Sequence, residues 1–198
     1  MAKNNKKTAT RGNKRRKKKR THEPRLLDPN TPRSIVVRKG RVGSSVRQLE
    51  ADIRRVMQPH TASRLQERRS NTLKDYINVS ALFSIANVLL LTSTERAAYL
   101  RIVRAPLGPT LTFRIEAFSL MGDIAREQTR PVSPSAEFHS APLVVMNNFG
   151  AARHFALAAT MFRGLFPAIN VHTTKLADCR RVLLVDYDEP EIGVRQKQ

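Results

Sequence analysis

Of the first 20 residues, 11 are Lys or Arg and none is acidic, and the segment ends in the unbroken run Lys14, Arg15, Arg16, Lys17, Lys18, Lys19 and Arg20. Like charges at that density repel one another at any compact spacing. No hydrophobic periodicity opposes them, so residues 1–32 are expected to form a disordered basic arm. Whatever folds must then lie between residue 33 and about residue 187, with 188–198 as a polar tail. The charge stays uneven inside that region. Residues 33–70 carry 10 basic and 3 acidic side chains, whereas residues 71–198 carry 14 and 11. A net charge of +20 concentrated in the first third of a chain points to a polyanion, and nucleic acid is the first to consider.

The same length and composition restrict the alternatives. With 198 residues and 40% hydrophobic content, the chain can bury one ordinary core, or two small halves that share one. Cys179 is the single cysteine, which excludes an intramolecular disulfide framework and fits a reducing compartment. No apolar run reaches the roughly 18–20 residues of a membrane span, and no secretory signal pattern opens the chain, so a soluble intracellular protein is expected. The five histidines, His22, His60, His139, His154 and His172, lack zinc-ligand spacing, and no Gly-x-Ser-x-Gly elbow is present. Asp186, Asp188, Glu189 and Glu191 read as a solvated tail. No catalytic residue, metal site or cofactor is assigned, and the chain reads as a non-enzyme.

Periodicity supplies the elements. Ile35-Val36-Val37, from Ser34 to Gly40, is a β-branched strand. Val46, Leu49, Ile53, Val56 and Met57 recur at helical spacing up to Pro59, with Ser45 and Gln48 as a capping box. Thr61–Arg69 is a short helix or loop. Val88–Leu91 is continuously apolar, as a strand covered on both faces would be, and Tyr99–Arg104 is its neighbour. Thr110–Ala117 alternates, with Leu111, Phe113, Ile115 and Ala117 inward and Thr110, Thr112, Arg114 and Glu116 outward. A Pro- and Ser-containing connector, 128–142, precedes a buried strand at Leu143–Met146, a helix over Ala151–Leu165 and a strand at Val182–Val185. The order strand, helix, Pro, later strand thus occurs twice, a loose internal echo that divides the region into 33–127 and 143–187.

Candidate RNA contacts follow from charge. They are Lys14 to Arg20 in the arm, and Arg33, Arg38, Lys39, Arg41, Arg47, Arg54, Arg55, Arg64, Arg68 and Arg69 in the body. Glu50 lies one turn before Arg54 and can pair with it, which leaves the basic face in place. The arm also has the composition of a nuclear localisation signal, whose partner is an import receptor. Gly40-Arg41-Val42-Gly43-Ser44-Ser45 joins strand to helix where a phosphate could meet backbone N–H groups, but its spacing is not that of a nucleotide-binding loop, and it reads as a tight turn. With three Tyr, eight Phe and no Trp, contact with RNA backbone is favoured over base stacking. A different reading makes the body a protein-docking module, with the Thr110–Glu116 face as the dock and only the arm on RNA.

Several ordered blocks also resemble the Brix domain, in its Peter Pan branch. They are Pro32-Arg33-Ser34-Ile35-Val36-Val37-Arg38-Lys39-Gly40, Val46-Arg47-Gln48-Leu49, and Asp52-Ile53-Arg54-Arg55-Val56-Met57-Gln58-Pro59. Asn71-Thr72-Leu73-Lys74-Asp75-Tyr76, Leu107-Gly108-Pro109-Thr110-Leu111-Thr112-Phe113, Leu143-Val144-Val145-Met146-Asn147-Asn148-Phe149 and Met161-Phe162-Arg163-Gly164-Leu165-Phe166-Pro167 continue the series. The resemblance implies an α/β (α+β) fold of two similar halves related to anticodon-binding domains. It also implies a non-enzymatic, nucleolar factor of large ribosomal subunit assembly that binds ribosomal RNA precursor and other assembly proteins. Relative to that pattern, the second half is expected to be truncated.

Overall fold

Ile35, Val36 and Val37 are all buried in β1 (Arg33–Lys39), which stops where Gly40 takes a φ of 83°. Glycine adopts that left-handed conformation without the Cβ clash other residues meet. The chain then enters α1 (Ser44–Val56). The helix begins two residues earlier than the Ser45–Gln48 capping box predicts, with Gly43 as N-cap and no side-chain cap. Burial decides this phase, because Val42 and Val46 both pack against Leu91. The computed structural model describes residues 31–68, 70–131, 135–169 and 179–188.

Thr61–Arg68 is irregular and holds one bridge to β1, Ser34 to Thr61. A helix not expected from periodicity follows, α2 (Leu73–Phe83). Its start is fixed by Asp75, whose carboxylate accepts from the Thr72 backbone N–H at 2.7 Å and hydroxyl at 2.9 Å. Then come β2 (Ile85–Ser93), β3 (Ala98–Arg104) and β4 (Thr110–Ile115). The sheet order is β1-β2-β3-β4, with β1 and β2 parallel and the other pairs antiparallel.

Helices cover both faces of this sheet. Val88 and Leu90 join Ile35, Val37 and Val103 against Tyr76 of α2. Leu89 joins Val36 and Ile102 against Met57 after α1 and against Met161, Leu165 and Phe166 from the later half of the chain. The continuous apolar run in β2 is therefore a strand buried on both sides, as its pattern predicts. In β4 the expected alternation holds up to Ile115, but Ala117 is exposed. The pairing simply runs out, since Ile115 is opposite Ala98, the first residue of β3.

A second unexpected helix, α3 (Met121–Glu127), is anchored by Asp52 of α1, which accepts from the Met121 backbone N–H at 2.9 Å. After a 3-10 turn at Ser135–His139 come β5 (Leu143–Asn147), α4 (Arg153–Arg163) and β6 (Val182–Asp186). β5 and β6 pair in parallel as a two-stranded sheet. Val144 and Leu183 pack on the shared core, but Val145, Val182 and Leu184 face solvent. Leu143–Met146 is thus half-covered and not the buried strand expected, because the helix and main sheet lie on one side of it only. Asn87, fully buried in β2, ties the main sheet to the end of α4 by donating to the Gly164 carbonyl at 2.8 Å.

Candidate nucleic-acid interface

The predicted basic patch divides into groups with different surroundings. Lys14 to Arg20 and Arg69 lie outside the described residues. Arg33 is half-buried at the far end of β1, where it donates to the Phe83 carbonyl at 3.3 Å. Arg55 stands over the Phe138 ring with its guanidinium carbon 5.4 Å from the centroid. Lys39 and Arg64 are exposed.

Arg54 is turned inward, which corrects the expectation that it lies on the outer basic face of α1. Its guanidinium donates to the Val36 carbonyl at 3.0 and 2.9 Å and pairs with both Glu50 and Glu67. Arg38 pairs with Glu50 at 2.9 Å, and its backbone N–H donates to Glu67 at 3.0 Å. These contacts occupy the outer edge of β1, so side chains take the place that another strand would otherwise fill. Only the Glu50–Arg54 pair was readable from spacing, since it spans one turn of α1. Glu67 arrives from the irregular segment and carries no local signal.

Two carboxyl groups so close, and largely out of water, cannot both ionise freely. Glu50 is pushed up to about 7, first by burial and then by its hydrogen bond to Glu67, against the pull of Arg54 and Arg38. Near neutral pH the network of Arg38, Arg54, Glu50 and Glu67 therefore holds an extra proton part of the time. It does not supply negative charge to its surroundings.

Above this network opens a cleft of about 440 Å³ lined by Arg38, Gly40, Arg41, Val42, Arg47, Glu67 and Arg68. Among the described residues, Arg41, Arg47, Arg64 and Arg68 take part in no ion pair. Three unpaired guanidiniums thus share a concave surface with the partly engaged Arg38. Cations gathered in a concave site focus field and raise the local concentration of anions. No group of three or more His, Cys, Asp or Glu among the described residues is placed to hold a metal ion. No helix among them is long and apolar enough to cross a membrane.

Arg181 is a further ordering residue that charge counting missed. From the start of β6 it donates to Val56 at 3.0 Å, Gln58 at 2.7 Å and Ser140 at 2.6 Å, and its guanidinium carbon lies 4.8 Å from the Phe138 centroid. It binds the carbonyl of Val56, the last residue of α1, and that of Gln58 just beyond it, where a cation also opposes the helix dipole.

Fold and surface together define a mixed α/β domain that presents an arginine-lined cleft beside its first strand. The model of the Brix domain matches residues 40–198. The chain belongs to the Brix domain family. It is 40% identical over 188 residues to a Peter Pan-like protein of Arabidopsis thaliana, covering 94% of this chain and 54% of that one. It is 44% identical over 167 residues to the Suppressor of SWI4 1 homolog of Mus musculus, covering 83% and 36%. It is also 34% identical over 202 residues to the ribosome biogenesis protein SSF1 of Saccharomyces cerevisiae, covering 92% and 45%. The chain spans about half or less of the length of these relatives.

Proposed function

We propose that this chain is a non-catalytic assembly factor of the large ribosomal subunit that grips ribosomal RNA precursor in the nucleolus. Family membership and relatives named for ribosome biogenesis support the process. The observation that carries RNA binding by the body is the convergence of unpaired Arg41, Arg47 and Arg68 on one cleft with Arg38. Residues 1–32 act as a basic arm that supplies long-range attraction and engages an import receptor, and residues 33–187 form the body. In this reading 33–127 and 143–187 are similar halves of the kind found in anticodon-binding domains, joined by 128–142. Their parallel pairs, β1 with β2 and β5 with β6, support that division. Lys39 and Arg64 widen the phosphate-contacting surface, with Arg69 beside it in sequence. Removing these charges weakens binding about equally across RNA sequences and flattens its salt dependence, as backbone contacts do.

The test is crosslinking and sequencing of bound RNA in cells, with and without residues 1–31. Reads clustered at a few precursor sites in both forms support the body as reader. Diffuse reads that vanish with the arm overturn it.

That second outcome favours a body that docks other assembly proteins. Its support is an apolar groove of about 580 Å³ between β1 and α2, flanked by Leu82 and Phe83 at 81% and 62% exposure. The outward residues of β4, Thr110, Thr112 and Arg114, are polar and offer less apolar area to a partner.

A further inference from the structure

We propose that the cleft beside β1 and α1 is a fitted seat for a single phosphodiester group of RNA, gripped by the guanidinium forks of Arg41, Arg47 and Arg68. The inference rests on the RNA-binding reading above and adds to it a fixed point of register. A volume of about 440 Å³ lies in the range of small-molecule sites, so the arginines line a concave cleft and not a flat face, with room for a phosphodiester and its flanking sugars. Glu67 is the one acid in the lining, and its two carboxylate oxygens are engaged by Arg54 and by the Arg38 backbone N–H. An entering phosphate therefore meets donors while the carboxylate faces its own partners.

The frame around these donors is rigid. Arg38 is held by Glu50, Val42 is buried against α1 and β2, and Gly40 turns the chain at a φ of 83°. Arginine forks in a rigid frame recognise phosphate by shape as well as charge, and the point charge of lysine does not reproduce that fork.

The polymer is favoured over a free nucleotide by what the lining lacks. Val42, at 6% exposure, is the single apolar side chain there, and no aromatic ring among the lining residues is available to hold a base. Recognition thus falls on the phosphate. A polymer can add contacts at exposed Lys39 and Arg64, which a mononucleotide cannot reach at the same time.

The experiment measures, by fluorescence anisotropy over a salt series, binding of the full chain to a labelled oligouridylate of about twelve nucleotides. The charge-conserving double variant Arg47→Lys/Arg68→Lys is compared with Arg126→Lys on the exposed face of α3, a residue outside the phosphate-contacting surface. The expected result is binding weakened about tenfold in the double variant, with the salt slope unchanged, and less than about twofold in the control. Circular dichroism melting establishes that each variant is folded. Equal affinities for the double variant and the parent protein overturn the seat. So does displacement of the oligonucleotide by ATP at equal phosphate concentration, or equally tight binding of polyglutamate of matched charge. A full chain with Lys14 to Arg20 changed to Gln separates the two levels. If that chain no longer binds the oligonucleotide at all, the RNA-binding reading of the body fails. If it binds and the cleft substitutions leave its affinity unchanged, the seat alone fails.

Discussion

Glu50 lies 2% exposed between the guanidiniums of Arg38 and Arg54, with Glu67 against it, and its carboxyl is raised from 4.5 to about 7. The folded chain therefore holds a proton that the unfolded chain releases near 4.5. The stability this contributes is fully present below 4.5 and is lost as pH rises through about 7. In the Glu50→Gln variant the side chain is neutral at every pH and its amide can donate to Glu67. The melting temperature of Glu50→Gln minus that of the parent protein is thus expected to increase from pH 5 to pH 8, by an amount equivalent to roughly 2–3 kcal/mol. A difference that is flat or falling over that range would mean that Glu50 stays ionised in the fold. Arg181 carries a second expectation at this scale. Changing it to Ala removes three hydrogen bonds and the Phe138 contact, and is expected to lower stability by about 2–4 kcal/mol in urea unfolding. An unchanged midpoint would show that the carbonyls at the end of α1 find other partners. The sequence disclosed the Glu50–Arg54 pair because helix geometry is local. It could not disclose Glu67 or Arg181, whose partners arrive from distant segments.

At the scale of elements, legibility followed burial. β2 was readable because both of its faces are covered, and β4 because only one is. α2 escaped because Val79, Leu82 and Phe83 leave it apolar on its outer side, so no polar face marks a helical period. The signal that was available is the Thr72–Asp75 capping box. α3 depends on Asp52, 69 residues earlier in the chain, and no local pattern carries that. β5 and β6 misled in the opposite sense, since apolar residues on both faces imitate a buried strand. Their two faces should respond differently to substitution. Leu184→Thr is expected to cost less than about 0.5 kcal/mol, because that side chain is 62% exposed. Leu183→Ala, against the shared core, is expected to cost about 2 kcal/mol. Equal costs by chemical denaturation would mean that the outer face is covered in solution. Between elements, Asn87→Leu keeps volume but leaves the Gly164 carbonyl unpaired, at an expected loss of about 1–3 kcal/mol in the same assay.

The whole molecule separates two kinds of positive charge. Seven consecutive cations stand at Lys14 to Arg20, while the body gathers unpaired arginines around a cleft whose one acidic residue, Glu67, is already engaged. Counting charge along the sequence located both groups, but it could not tell the inward Arg54 from the cleft-facing Arg47, because that difference is made by packing. The two groups should leave different marks on binding. Each cation that displaces a counterion from single-stranded RNA contributes about 0.7 to the slope of log K against log salt. Changing Lys14 to Arg20 to Gln is therefore expected to reduce that slope by as much as about 5, with the greatest loss of affinity at low salt. At high salt, screening shortens the reach of the arm, and the altered and parent chains should converge. Anisotropy titrations over a salt series measure this directly. Parallel lines, displaced by a constant factor, would mean that the arm acts through a specific contact, and long-range attraction would have to come from the body.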